Sequence, residues 1–298
     1  MKPLKLLTTL SISFLLFSCN NGSEEYDATG SFEATEIIVS SQANGRILAL
    51  NVNEGEQLQT GQKVGQIDST QLYLQKMSLL SNVKGVRAQQ PDIRKQTAAL
   101  QNQIKTLERE KSRIERLIAA NAATQKQLDD IEAQIEVLQS QLSAQTSTLR
   151  KSSENISAQS TTLEIQVAQL DDQLEKTQIT SPISGTVLNR YAERGELATM
   201  GTPLFKIADT GTLFLRAYVT NDQMAQIKLN DEVTVRVDDG EGHMKTYKGS
   251  ISWISDKSEF TPKTIQTKNE RANLVYALKI AVPNDGYLKI GMYGEVKF

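Results

Sequence analysis

The sequence predicts an α+β chain: a β-sandwich split in two, a long antiparallel coiled-coil helical hairpin inserted between its halves, and a small antiparallel β-barrel behind them. Three observations carry this. Residues 39–67 and 179–207 repeat one another, 71–177 hold a single proline and a single glycine, and 212–298 alternate short β runs with turn residues.

Composition narrows the function before any motif does. The chain has 298 residues and a formal net charge of −2, with aromatics at only 5%. So few large rings leave little for a big globular core and favour surface-rich structure such as a helical rod. The near-neutral balance argues against a nucleic-acid partner, which calls for a basic face. One cysteine (Cys19) and one histidine (His243) allow neither an internal disulfide nor a metal cluster. No nucleophile–base pair or phosphate loop is present, and the carboxylates sit on heptad faces or in turns. The expectation is a protein without catalysis, metal or cofactor.

Residues 1–18 place Lys2 and Lys5 before a short apolar run, the layout of a secretory signal peptide, too short to span a bilayer as a mature helix. Leu16-Phe17-Ser18 then leads into Cys19, which resembles a bacterial lipobox, although Phe17 is bulkier than usual there. That resemblance implies a lipid on Cys19 and a polar tether over 19–29, so that the chain is tethered to a membrane without crossing it. A strand over 30–38 is expected to join the barrel.

The two repeats superpose at a constant shift. Ser41 meets Ser181, Gly45 meets Gly185, Gly55-Glu56 meets Gly195-Glu196, and Gly61 meets Gly201. Apolar positions agree as well: Val39 with Ile179, Ile47 with Val187, Ile67 with Ile207. Glycine recurs where short strands turn tightly. Each half of about 30 residues is too small to bury a core alone, so 39–70 and 178–211 are expected to close one domain together. This resembles the biotinyl/lipoyl fold, which raises a carrier with a modified lysine at the hairpin between the halves. The first half ends Ile67-Asp68-Ser69-Thr70-Gln71-Leu72 without one, Lys63 and Lys76 lie elsewhere, and about 110 residues replace the tight turn. The carrier reading fails.

The insertion, 71–177, shows heptad spacing. Ile93, Leu100, Ile104, Leu107, Ile114 and Ile118 mark one arm, and Leu128, Ile135, Leu142, Leu149, Ile156, Leu163 and Leu170 never miss a seven-residue step on the other. Their companions turn polar at Gln145, Ser152, Gln159 and Gln166, so the seam is expected to narrow toward the β-domain. Between the arms, Asn121 is suited to a left-handed helix end and Thr124 to the next N-cap. Pro91 should interrupt the first arm, and Ser152-Ser153 marks the opposite level as another weak point.

At the turn stand Arg113, Leu117 and Thr124. Split lipoyl-like domain, inserted hairpin and following barrel together resemble the HlyD-type periplasmic adaptors, or membrane fusion proteins, of tripartite exporters, over nearly everything after Cys19. In that family an Arg, three residues, Leu, six residues, Ser motif contacts a TolC-like outer-membrane channel. Here Arg113, Leu117 and Thr124 keep the spacing, with Thr in place of Ser. The resemblance implies a homo-oligomer, a hexamer by family, between an inner-membrane transporter and that channel, in the periplasm and lipid-held to the inner membrane, with the outer membrane as the alternative. The competing class is a structural coiled-coil lipoprotein without a transport role.

In 212–298 the β runs are Leu213–Val219, Glu232–Val237, Tyr247–Ile254, Asn273–Val282 and Met292–Phe298, spacing suited to a small barrel. The run Glu259–Thr267 with Asn273-Leu274-Val275-Tyr276 resembles the barrel of adaptors serving ABC-type exporters. His243 reads as a solvated turn residue and Trp253 as barrel core.

Overall fold

A computed structural model describes residues 26–240, 242–260 and 274–298. The expected signal peptide 1–18, Cys19 and most of the Glu259–Thr267 run lie outside the described residues.

The first strand, β1 (Ala28–Ser40), is followed by the first repeat: β2 (Gly45–Leu50), β3 (Gln57–Leu58) and β4 (Lys63–Ile67). Helices α1 (Thr70–Ala88), α2 (Ile93–Ala119) and α3 (Gln125–Lys176) form the insertion. The second repeat supplies β5 (Gln178–Thr180), β6 (Gly185–Arg190), β7 (Leu197–Ala198) and the start of β8 (Pro203–Thr220). A single turn of helix, α4 (Asn221–Met224), precedes β9 (Glu232–Asp238), β10 (Met244–Phe260), β11 (Leu274–Pro283) and β12 (Tyr293–Lys297).

The repeat in the sequence is a repeat of hydrogen bonds. Ser41 N–H donates to the Thr202 carbonyl and Gly201 N–H to that of Ser41; at the matching positions Ser181 N–H donates to Gln62 and Gly61 N–H to Ser181. Ile47 and Gly195 bond Glu196 and Ile47, as Val187 and Gly55 bond Glu56 and Val187. Each half therefore completes the other's backbone pairing. The matched turn glycines adopt positive φ, +85° and +97° at Gly55 and Gly195, +76° and +88° at Gly61 and Gly201. Between the halves lies one buried core that includes Ile47, Ile67, Val187, Leu204, Phe205 and Ile207.

Six strands in the order β1-β12-β9-β10-β11-β8 close into a barrel through the β1–β8 pairing. Closure removes the exposed edges that an open sheet would leave. Phe32, Leu215, Val235, Ile251, Leu278 and Ile280 fill it. Trp253 does not join them: a register shift in β10 between Ile251 and Trp253 turns the indole outward, where it is 42% exposed with the Lys279 Nζ 5.9 Å from its ring. His243 is a solvent-facing residue of the β9–β10 turn. Strands β1 and β8 run through both β units, so positions 38/39 and 211/212 carry no break in secondary structure.

One turn ties the barrel together by charge. Asp285, after β11, accepts from Lys245 Nζ at 2.6 Å and from Tyr247 Oη at 3.1 Å, while the ammonium lies 4.7 Å from the Tyr287 ring. The Lys245 bond first and the Tyr287 N–H second hold the carboxyl at about 2, below its ordinary 3.8. A depressed carboxyl contributes stability above its unfolded value and loses it as pH falls through the folded one. The melting-temperature gap between wild type and Asp285→Asn is therefore expected to be constant at neutral pH and to close from about pH 4 down to pH 2. A gap that stays constant to pH 2 would contradict this.

The hairpin is asymmetric. The ascending arm is broken at 89–92, beside Pro91, whereas α3 continues unbroken for 52 residues, a rod of roughly 78 Å. The weak point expected at Ser152-Ser153 is absent; Ser153 instead accepts from Gln90 Nε2 at 2.9 Å, level with the break. The companion seam also differs. Gln145, Ser152, Gln159 and Gln166 face solvent, and the next residues, Thr146, Ser153, Ser160 and Val167, face the partner arm. A straight helix drifts about 20° per heptad against a strict seven-residue repeat, which moves the companion positions by one residue. Ser160 is buried and bonds both Arg87 and Glu164.

Candidate functional site at the hairpin tip

The turn between α2 and α3 is built by local chemistry. Asn121 adopts φ 54°. The Ala122 N–H reaches back to the Leu117 carbonyl at 2.8 Å and the Asn121 N–H to that of Ile118 at 2.9 Å, the paired bonds that close a helix on a left-handed residue. Thr124, in extended conformation, starts α3, and its N–H donates to Gln127 Oε1 at 2.9 Å. Three residues, 121–123, thus reverse the chain.

The sequence-selected residues gather at this end of the rod. Arg113 and Leu117, four apart, share a face of α2. Arg113 is exposed and ion-paired with Glu110, one turn back, which raises its pKa by hydrogen bond and charge together. Leu117 is half-buried beside Ile114, its carbonyl engaged in the turn. Thr124 is exposed at the start of the returning helix. The turn therefore presents a cation, an apolar side chain and a hydroxyl from a short fixed backbone.

A cross-brace below the tip escaped the heptad pattern. Lys111 stands on the seam of α2 and bridges to Glu132 of α3 at 2.8 Å, with Glu115 at 3.9 Å. The lysine pKa is raised, first by its hydrogen bond to Glu132. The missed signal was a lysine occupying an apolar heptad position. Among the described residues no group of His, Cys, Asp and Glu is arranged to hold a metal, and no helix is long and apolar enough to cross a membrane.

Comparisons with known proteins agree with this architecture. The UPF0194 membrane protein YbhG of Salmonella arizonae is 27% identical over 290 residues, 90% of this chain and 87% of its own. A UPF0194 membrane protein of Acidithiobacillus ferridurans is 26% identical over 284 residues, 88% of this chain and 83% of its own. Among solved structures, MacA from Actinobacillus actinomycetemcomitans superposes with a TM-score of 0.53 at 21% identity, covering 90% of this chain and 76% of MacA. The membrane fusion protein Spr0693 from Streptococcus pneumoniae R6 gives 0.51 at 18%, covering 90% and 96%. Residues 35–210, the interrupted sandwich with its hairpin, match the family described as RND MFP, barrel-sandwich hybrid domain, and the chain belongs to that membrane fusion protein family.

Proposed function

We propose that this membrane fusion protein is the periplasmic adaptor of a tripartite exporter, joining an inner-membrane transporter, of the ABC type, to a TolC-like outer-membrane channel. Its parts divide as a lipid-anchored tether on Cys19 (19–29), a strand joining the barrel (30–38), sandwich halves (39–70 and 178–211), hairpin (71–177) and barrel (212–298). Copies assemble into a hexameric sleeve, held by lipid to the inner membrane. The work is conformational: the tips meet the channel while the barrel meets the transporter, and no cofactor takes part.

The carrying observation is the position of Arg113, Leu117 and Thr124 at the free end of a rod that interrupts a β-domain. A rod of this length costs much conformational entropy and gains most where its end reaches a partner. The test is a photo-crosslinking amino acid at Leu117 in intact cells. The expected result is a crosslink to an outer-membrane channel. Crosslinks to no channel, with the rod folded, would leave a structural coiled-coil lipoprotein. Co-purification of the intact protein with an ABC-type transporter tests the other end.

A further inference from the structure

The six barrel strands are antiparallel to their neighbours, so their termini sort into two ends. One end continues into the sandwich through β1 and β8. The far end gathers the start of β1, the end of β8, the starts of β9 and β11 and the ends of β10 and β12. Asp27 knots it: Gln223 Nε2 donates to its carbonyl at 2.7 Å, and the Phe298 N–H to its carboxylate at 2.9 Å. The residues before β1, helix α4 and the C-terminal residue therefore meet there. The connection after α4 stops the barrel with Ile227, which is buried, and Met224 packs against the same core.

Leu229, two residues beyond Ile227, stays outside at 55% exposure. Tyr26 and Leu274 are each 50% exposed and Phe298 40%. Leu274 adjoins Val275, the partner of Thr220 just before α4. A single exposed apolar side chain is ordinary, whereas several at one end mark a contact. Lys228 and Lys297 are exposed at this end and join no ion pair among the described residues. Of the carboxylates here, Asp27 and Asp231 accept the Phe298 and Lys228 N–H groups, while Asp222 and Glu232 face solvent. Aromatic and alkyl side chains interleaved with lysines are the composition of a membrane-interface anchor, rings among the headgroups and ammonium groups at phosphate level. Chain length decides between a bilayer and a protein as the occupant. Tyr26 lies seven residues after Cys19, at most about 25 Å even when fully extended. A lipid on Cys19 thus keeps this end beside the bilayer, whatever partner the flank of the barrel meets.

We propose that the far end of the barrel seats directly on the lipid surface. Tyr26, Leu229, Leu274 and Phe298 enter the headgroup layer, and Lys228 and Lys297 meet lipid phosphates. The seat rests on the lipid tether proposed above and adds to it. A tether alone leaves the chain free to swing, whereas a seat fixes which end of the molecule faces the bilayer and leaves the barrel flank open to a transporter.

The mature chain from residue 19 with Cys19→Ser carries no lipid and no other cysteine, so an added cysteine places a polarity-sensitive fluorophore at one chosen site. A label at Leu229→Cys is expected to shift to the blue on phosphatidylcholine–phosphatidylglycerol vesicles, half-maximally at about 0.1–1 mM lipid, the range of a single weak anchor. A label at Val137→Cys, on an exposed position of the hairpin, should not shift. In the chain labelled at 229, Tyr26→Ser with Phe298→Ser should weaken binding about tenfold. Lys228→Glu with Lys297→Glu should weaken it about tenfold on these vesicles and leave binding to phosphatidylcholine alone unchanged. Circular dichroism should be the same in every variant, since all the replaced side chains are exposed. No shift at 229 up to about 1 mM lipid, equal shifts at 229 and 137, or binding indifferent to the Tyr26 and Phe298 substitutions overturns the proposal. Mass spectrometry of the N-terminus of the protein from cells tests the tether separately. A lipidated Cys19 without vesicle binding would keep the tether and remove the seat, and an unlipidated one with binding would keep the seat and remove the tether.

Discussion

Replacing Leu117 by aspartate is expected to abolish export without unfolding the chain. The side chain is half-buried at the end of α2, and the turn behind it is held by backbone bonds that the substitution leaves in place. A change at such a position costs about 1 kcal/mol of stability or less. In a contact with a channel, the loss is of another size. Truncating a central apolar anchor commonly costs about 2 kcal/mol or more of binding, roughly thirtyfold in affinity, and a carboxylate adds desolvation to that. Arg113→Asp should behave alike, since it removes the cation and sets a carboxylate beside Glu110. The checks are a transport assay in cells, affinity for the purified channel and thermal unfolding of the isolated protein. Normal channel affinity in both variants would remove these residues from the contact.

The largest effect on folding is expected at Phe32, which is 1% exposed inside the barrel. Phe32→Ala empties a ring's volume from a closed core, a loss of about 3–5 kcal/mol, against total stabilities of about 5–15 kcal/mol for a domain. The neighbouring backbone has no room to collapse into that space. At Gly30, a Cβ would lie 2.1 Å from the Arg216 carbonyl oxygen across the strand pair, so β1 already sits as close to β8 as chain sterics allow. Denaturant unfolding should therefore show the barrel lost well before the sandwich, whose core contains Phe205 and Ile207 but not Phe32. A single unshifted transition in Phe32→Ala would show that β1 is not what closes the barrel.

Much of this architecture is legible in the residues. The repeat of Ser41, Gly45, Gly55 and Gly61 at Ser181, Gly185, Gly195 and Gly201 gave the paired halves because positive φ and tight pairing restrict the choice of side chain. The tip was legible for a similar reason: Asn121 and Thr124 each satisfy a local backbone demand. What the sequence hid depends on partners far away in the chain. The outward turn of Trp253 follows from one register shift against β11, which no local pattern announces. The Thr146, Ser153 and Ser160 companions in α3 follow from the slow drift of a straight helix past two successive partners, α2 and then α1. Their small polar side chains look like surface residues until Arg87 and Gln90 are brought across the seam. Arg113, Leu117 and Thr124 were selectable by spacing, whereas Lys111 was not, because its partner Glu132 lies beyond the turn.

Strand β1 has a mechanical consequence. It pairs antiparallel with β8 along almost its whole length, from Thr29 to Ser40, and with β12 over its first residues. Antiparallel hydrogen bonds run perpendicular to their strands, so a pull on Ala28 along the strand axis meets them sideways and all together. The ladder is then loaded in shear, and it cannot be unzipped one rung at a time. Because the same strand lines both the barrel and the sandwich, tension entering from the N-terminal side is distributed to both bodies at once. The strand serves the molecule as a keel.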